Sequence, residues 1–353
     1  MRQLLLILPL LLTLLTSGCT TDFCIPILMD CDTVVKQAHD VIVIESLHAL
    51  PDNVPPDGSM KVVTIVSNVA DIDAEITNVP VTVELYDYCE GLFSIISSSG
   101  GNEKECKTSG SNDKNICGSR KVNLLRNEKA QIEWTLKAMD KNHVPVKTEC
   151  TLKIRAMYPY ATRSVTTLHM IDYAEMQRRI NEGTYKEIGS YHSIGYGPIK
   201  PYIWVEGTQP IPVSTEGDQV NRINTVLSLQ VKNEGSGFIS SNPEKGGDPI
   251  LNESQFQITA ITQDLIDIQR ELRVCIEDFD DSPDGEIKLI NKESTKVPCP
   301  LVNKPAGKVP VEATKTIQAS IGLEEDGSFK PEGDKAYWYE FRKEIKVTVE
   351  PTF

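Results

Sequence analysis

Cysteine is the residue type whose number and placement suggest defined chemistry here. Nine occur: Cys19, Cys24, Cys31, Cys89, Cys106, Cys117, Cys150, Cys275 and Cys299. Cys19 stands apart, directly behind an apolar leader, and setting it aside leaves an even eight. Zinc and iron–sulfur sites bring thiolates in closely spaced pairs, and the remaining eight contain none. Disulfide staples are the better reading. Cys275 and Cys299 are the expected pair of the second half, which holds no other cysteine. Cys24 and Cys31 would close a small loop, and Cys89, Cys106, Cys117 and Cys150 would make two more bridges. Six cysteines allow fifteen connectivities, so this local pairing stays open.

Two further groups could bind something. Asp278, Asp280, Asp281, Asp284 and Glu286 put five carboxylates into nine residues, hard oxygens of the kind calcium takes. Asp278, Asp280, Asp284 and Glu286 are therefore calcium candidates. The EF-hand order fails, since Pro283 stands where glycine is required and Leu289 stands at the twelfth place. A solvated acidic turn explains the stretch equally well. The aromatics Tyr158, Tyr160, Tyr202, Trp204, Trp338 and Tyr339 could floor a carbohydrate or peptide groove, although at strand spacing they also suit core and cross-strand pairs.

No H-E-x-x-H, nucleophile elbow or phosphate loop occurs, so no catalytic residue and no cofactor is expected. Asn252-Glu253-Ser254 fits the N-glycosylation acceptor pattern,. The net charge of -14 excludes nucleic acid, which requires a basic footprint,.

The elements that must position these residues read as strands. Val81, Val83 and Leu85 alternate with polar neighbours, and so do 130–136 and 150–158,. Short apolar runs broken by Gly, Pro, Asn and Asp recur to the end of the chain, with no alternation of strand and helix. That pattern predicts an all-β protein of sandwich type. Only Asp172 to Gly183 looks helical, as a short connecting helix. Residues 97–120 are Ser-, Gly- and Asn-rich and predict a long bridged surface loop. Residues 183–200, with three glycines from Gly189 onward and no sustained period, predict a linker.

The first residues carry an address. Arg2 is followed by a dozen largely apolar residues from Leu4 to Leu15, too few to span a bilayer comfortably,. Leu15-Thr16-Ser17-Gly18-Cys19 resembles the lipobox of prokaryotic lipoproteins, with Thr16 where that family usually has leucine. The resemblance implies cleavage before Cys19, a diacylglycerol on its thiol and a stable membrane tether. Leu229-Gln230-Val231-Lys232-Asn233-Glu234-Gly235 resembles the strand-and-turn element of CARDB-like and other immunoglobulin-like modules of archaeal and bacterial surface proteins. Asn233 and Gly235 would suit a turn with an Asx bond or positive φ.

The organisation expected is therefore a leader at 1–18, a tether at 19–33, an immunoglobulin-like sandwich at 34–182, a linker at 183–200 and a second sandwich at 201–353. The expected function is non-enzymatic: a structural, adhesive or accessory protein on the outer face of a cell membrane, contacting protein or glycan. A solute-binding or sensory lipoprotein is the alternative, and an extracellular hydrolase the third reading.

Overall fold

A computed structural model describes residues 39–71, 74–101, 106–107, 117–189, 191–214, 222–223, 225–243, 249–260, 286–289, 291–294, 296–301 and 311–351. The described body is all-β, with one short α-helix and one 3-10 turn. The leader, the tether, Cys19, Cys24, Cys31, Cys275, Asp278, Asp280 and Asp284 lie outside these residues, as does the side chain of Glu286.

The chain opens with β1 (Ile42–Leu50), β2 (Asn53–Val54), β3 (Ser59–Asn68), β4 (Asn78–Asp87) and β5 (Phe93–Gly100). It continues through β6 (Cys106–Lys107), β7 (Ser119–Leu125), β8 (Lys129–Ala138) and β9 (Thr148–Tyr160). One sheet runs β1-β3-β8-β5-β6. Its strands alternate buried and exposed positions, as a half-buried surface dictates: Met60, Val62, Thr64 and Val66 point inward from β3, and Ile132, Trp134 and Leu136 from β8. Trp134 is fully buried, and its Nε1 donates to the carbonyl of Gly118 at 3.1 Å.

Strands β4, β7 and β9 belong to a second sheet, which with the first makes the outer lobe, and after β9 the chain leaves this lobe. It forms β10 (Thr162–Asp172), helix α1 (Tyr173–Asn181), β11 (Tyr191–Ile194), β12 (Ile199–Glu206), β13 (Ile211–Ser214) and β14 (Arg222–Ile223). Then come β15 (Thr225–Asn233), β16 (Phe238–Ser240), β17 (Leu251–Asn252), β18 (Phe256–Ala260), β19 (Glu286–Ile287), β20 (Val297–Leu301) and β21 (Glu312–Ile321). One sheet here runs β14-β13-β10-β21-β18, with β11 also on β10, and the other runs β12-β15-β20. Strand β12 packs against both β10 and β21. Helix α1 is capped by Asp172, whose carboxylate accepts from the Glu175 amide at 3.2 Å,. Hydrogen bonds from Arg178 and Arg179 hold the Glu175 carboxyl down at about 2.

The last strand, β22 (Tyr337–Val349), returns to the first layer pair. It lies antiparallel beside β9 from Tyr337↔Tyr160 to Val349↔Thr148, and completes the sheet β16-β22-β9-β4-β7. The adjacent ladder β10–β21 starts immediately beyond, at Thr162↔Ile321. Apart from β16, which pairs with β22 in the outer lobe's sheet, the described residues of 162–321 thus form a second lobe inserted between β9 and β22, two neighbouring strands of the outer lobe.

This arrangement corrects the contiguous division at 183–200. That stretch holds β11, paired with β10, and the start of β12; a cut there would separate β22 from β9. The helix likewise lies within the inserted lobe, beside β10 and β13, rather than between two domains. The loop expected at 97–120 is also shorter. Residues 97–100 belong to β5 and 119–120 to β7. Ser98 and Arg120 are buried, and the Arg120 guanidinium donates twice to the Gly100 carbonyl, at 2.9 and 3.1 Å. A buried arginine satisfied by a backbone carbonyl cannot be told from a surface arginine by residue type. Lys36–Phe353 form one compact unit, and one hydrophobic cluster runs from Val41 through Trp134 to Ile317.

Candidate functional site: the neck and its trough

Four tyrosines build the neck where the lobes join. Tyr158 and Tyr160 come from the end of β9, Tyr337 and Tyr339 from the start of β22, and all are fully buried. Their rings meet edge to face: Tyr158 with Tyr339 at 5.8 Å, Tyr158 with Tyr160 at 6.3 Å and Tyr160 with Tyr337 at 6.4 Å between centroids,. The Tyr337 and Thr162 hydroxyls share a hydrogen bond of 2.9 Å. Burial pushes the Tyr158 and Tyr337 phenols far up, so both stay protonated,. These residues are core and cannot floor an open groove.

The Asn233 turn fastens the inserted lobe to this cluster. Asn233 Oδ1 accepts from the Gly235 amide at 3.1 Å and from the Tyr339 hydroxyl at 2.9 Å, and its Nδ2 donates to the Gly237 carbonyl at 3.1 Å. The Asx bond is the one its sequence predicts. Gly235 is required for room, not for positive φ: an added Cβ would lie 2.4 Å from the Tyr339 hydroxyl and 2.8 Å from Asp40 Oδ1. Asp40 is itself buried and accepts from the amide and hydroxyl of Ser236. Beside it, His39 pairs with Glu234 at 3.3 Å, and Lys200 approaches the same carboxylate at 3.6 Å. Desolvation, with Lys200 nearby, lowers the His39 pKa; desolvation also lowers that of Lys200, against the pull of Glu234,.

Two surfaces remain for the other aromatics. Tyr202 and Trp204 on β12 edge a depression of about 350 Å³ with Gln230 and Lys232. Both rings are already covered: Lys232 Nζ lies 5.4 Å from the Tyr202 centroid and Lys296 Nζ 4.9 Å from that of Trp204,. The second surface is a trough of about 880 Å³ at the neck, between β7, the ends of β4, β9 and β22, and the segment after β21. Trp338 stands in it, directly opposite Pro159, with Phe329 and Pro80. The β4–β9 ladder ends at Thr82↔Met157. Pro80 and Pro159 each lie two residues beyond that pair, and neither has an amide hydrogen to extend it. Phe329 leans on Tyr160, 6.4 Å between centroids, so the buried cluster props the trough wall. Proline within a strand was the sequence signal for this place.

Neither a protein-family model nor a curated protein matches the chain. Among solved structures, a biofilm associated protein B domain is similar over 90% of this chain and 84% of that one. The sequence identity is 6% and the TM-score 0.20. The fold assignment therefore rests on the strand pairing itself.

The remaining expected sites divide as follows. Cys89 and Cys150 are joined, S–S 2.03 Å, tying the end of β4 to β9. Cys117 is buried and disulfide-bonded. Cys299 is fully buried on β20, while Cys275 falls outside the described residues. Among the described residues no group of three His, Cys, Asp or Glu side chains could hold a metal ion. No described helix is long and apolar enough to cross a membrane. Asn252 ends β17, its backbone N–H donating to Gln255 Oε1 at 2.9 Å.

Proposed function

We propose that this chain is a non-enzymatic cell-surface protein, held to the outer side of a membrane by a lipid on Cys19 and acting through contacts with protein or glycan. One observation carries the exported, contact-making reading: a disulfide-locked, all-β body whose tyrosine-packed neck props an open trough. A disulfide within a stable strand framework suits an oxidising compartment. The buried, mutually hydrogen-bonded junction suits a body that holds two lobes in fixed relation.

We read the outer lobe as immunoglobulin-like. Taking β1, β3, β4, β5, β8, β9 and β22 as strands A to G, its layers are A-B-E-D, with β6 added beyond D, and G-F-C, with β7 added beyond C and β16 beyond G,. The inserted lobe then lies between F and G.

The test is fractionation of the full-length protein from a prokaryotic host that lipidates exported proteins. The expected outcome is membrane-associated protein that begins at Cys19, carries added acyl mass and gains two hydrogens per bridge on reduction. The Cys19→Ser variant should appear in the soluble exported fraction. Unprocessed, fully reduced protein in the cytosol would overturn the proposal.

A further inference from the structure

We infer that the trough around Trp338 is a carbohydrate-binding subsite; this deepens the contact reading above but does not depend on the lipid anchor.

Three observations select this place and this ligand. The first is the state of the aromatic rings. Of the six aromatics suited to a sugar platform, Tyr158, Tyr160 and Tyr339 are buried, and Tyr202 and Trp204 are capped by Lys232 and Lys296. Trp338 is half-buried and meets no ring or cation among the described residues. Its indole face is the one left to stack on a ligand.

The second is the make-up of the lining. Trp338, Phe329 and Pro80 give flat apolar surface above the buried Pro159, and Asn78 and Asn123 bring exposed amides to the β4–β7 side. An amide both donates and accepts, as sugar hydroxyls do, while the C–H faces of a pyranose suit an indole. A polyproline peptide would call for a groove lined by aromatics; here two aromatic side chains share the trough with amides, two lysines and Glu332.

The third is preorganisation. Trp338 is fixed by the β22–β9 ladder, and Phe329 rests on the buried Tyr160. Binding would order little that is not already ordered, which favours affinity. The volume of about 880 Å³ falls within the span of about 300–1,000 Å³ usual for ligand clefts,.

The experiment is titration of the full-length protein with three neutral tetrasaccharides, cellotetraose, mannotetraose and tetra-N-acetylchitotetraose, followed by tryptophan emission and calorimetry. Decaproline is the competing probe. At least one tetrasaccharide should bind with Kd of about 1 mM or tighter, and Trp204→Phe should leave it unchanged. Trp338→Ala should weaken it tenfold or more. Phe329→Ala, which lies outside the sheet and so spares the ladder, should weaken it severalfold, with thermal unfolding confirming that both variants fold. Binding of none of the three sugars, binding that survives Trp338→Ala, or binding of decaproline instead would overturn the inference. None of these results bears on Cys19 or the membrane fraction, so the two proposals fail separately.

Discussion

The outer and inserted lobes are built from the same kind of strand but close in different ways. In the inserted lobe the joining ladder, β10 with β21, begins and ends within one stretch of chain. In the outer lobe the strand beside β9 is the last one described, separated from it by the whole inserted lobe. The outer lobe therefore depends on the inserted lobe to return the chain to the neck. A well-ordered insertion keeps the ends of its gap together and so reduces the loop-closure cost. The difference teaches that the neck, not a linker, is where the lobes share stability.

Removing residues 337–351 gives the largest effect expected. The outer lobe should lose cooperative unfolding, while hydrogen exchange should still find protected amides along β10 and β21. Protection lost equally in both lobes would break the distinction drawn between them. Trp134→Ala comes next, at about 3–5 kcal/mol by denaturant unfolding, since it empties the outer core and removes the bond to Gly118,. Severing Cys89–Cys150 by a double change to alanine should cost about 2–4 kcal/mol, because the bridge closes a segment with a sequence separation of 61,. Both losses should register first in outer-lobe amides.

Gly235→Ala tests the neck directly. Its Cβ would meet Tyr339, Pro198 and Asp40 within 3 Å, so about 1–3 kcal/mol should be lost. Exchange should rise in both lobes together; a change confined to the inserted lobe would mean that the turn does not couple them. The smallest effect concerns pH. The folded pKa of His39 lies below its ordinary 6.5, so the unfolded chain takes up the proton first as the solution is acidified. Its contribution is present above pH 6.5 and is lost as pH falls through the lower folded value. The melting temperature should drift down across that window, and His39→Gln should flatten the drift. An unchanged slope in that variant would remove His39 from the account.

Much of the neck was legible residue by residue, but little of its assembly was. The turn at Asn233 was readable because an Asx bond is local and needs only its own neighbours. The helix after Asp172 was readable for the same reason. The burial of Tyr158 and Tyr339 was not, since a tyrosine facing a sandwich core and one facing solvent occupy the same alternating pattern. Cys89 with Cys150 was one pairing among several because strand partnership, not spacing, brings the two together. Pro80 and Pro159 carried a readable warning that a ladder must stop, yet their common position across two strands came only with the register.

The order of side chains along the chain set what each segment could become: strands from period-two alternation, turns from Asn, Gly and Pro, and one capped helix. Those outcomes follow from interactions within a few residues. Which strand lies beside which is decided over hundreds of residues, by burial that any strand of similar pattern could satisfy. The tertiary fold alone therefore decided that β22 returns to β9, that the second lobe is an insertion, and that Trp338 lines the trough while Tyr339, the next residue, is sealed inside.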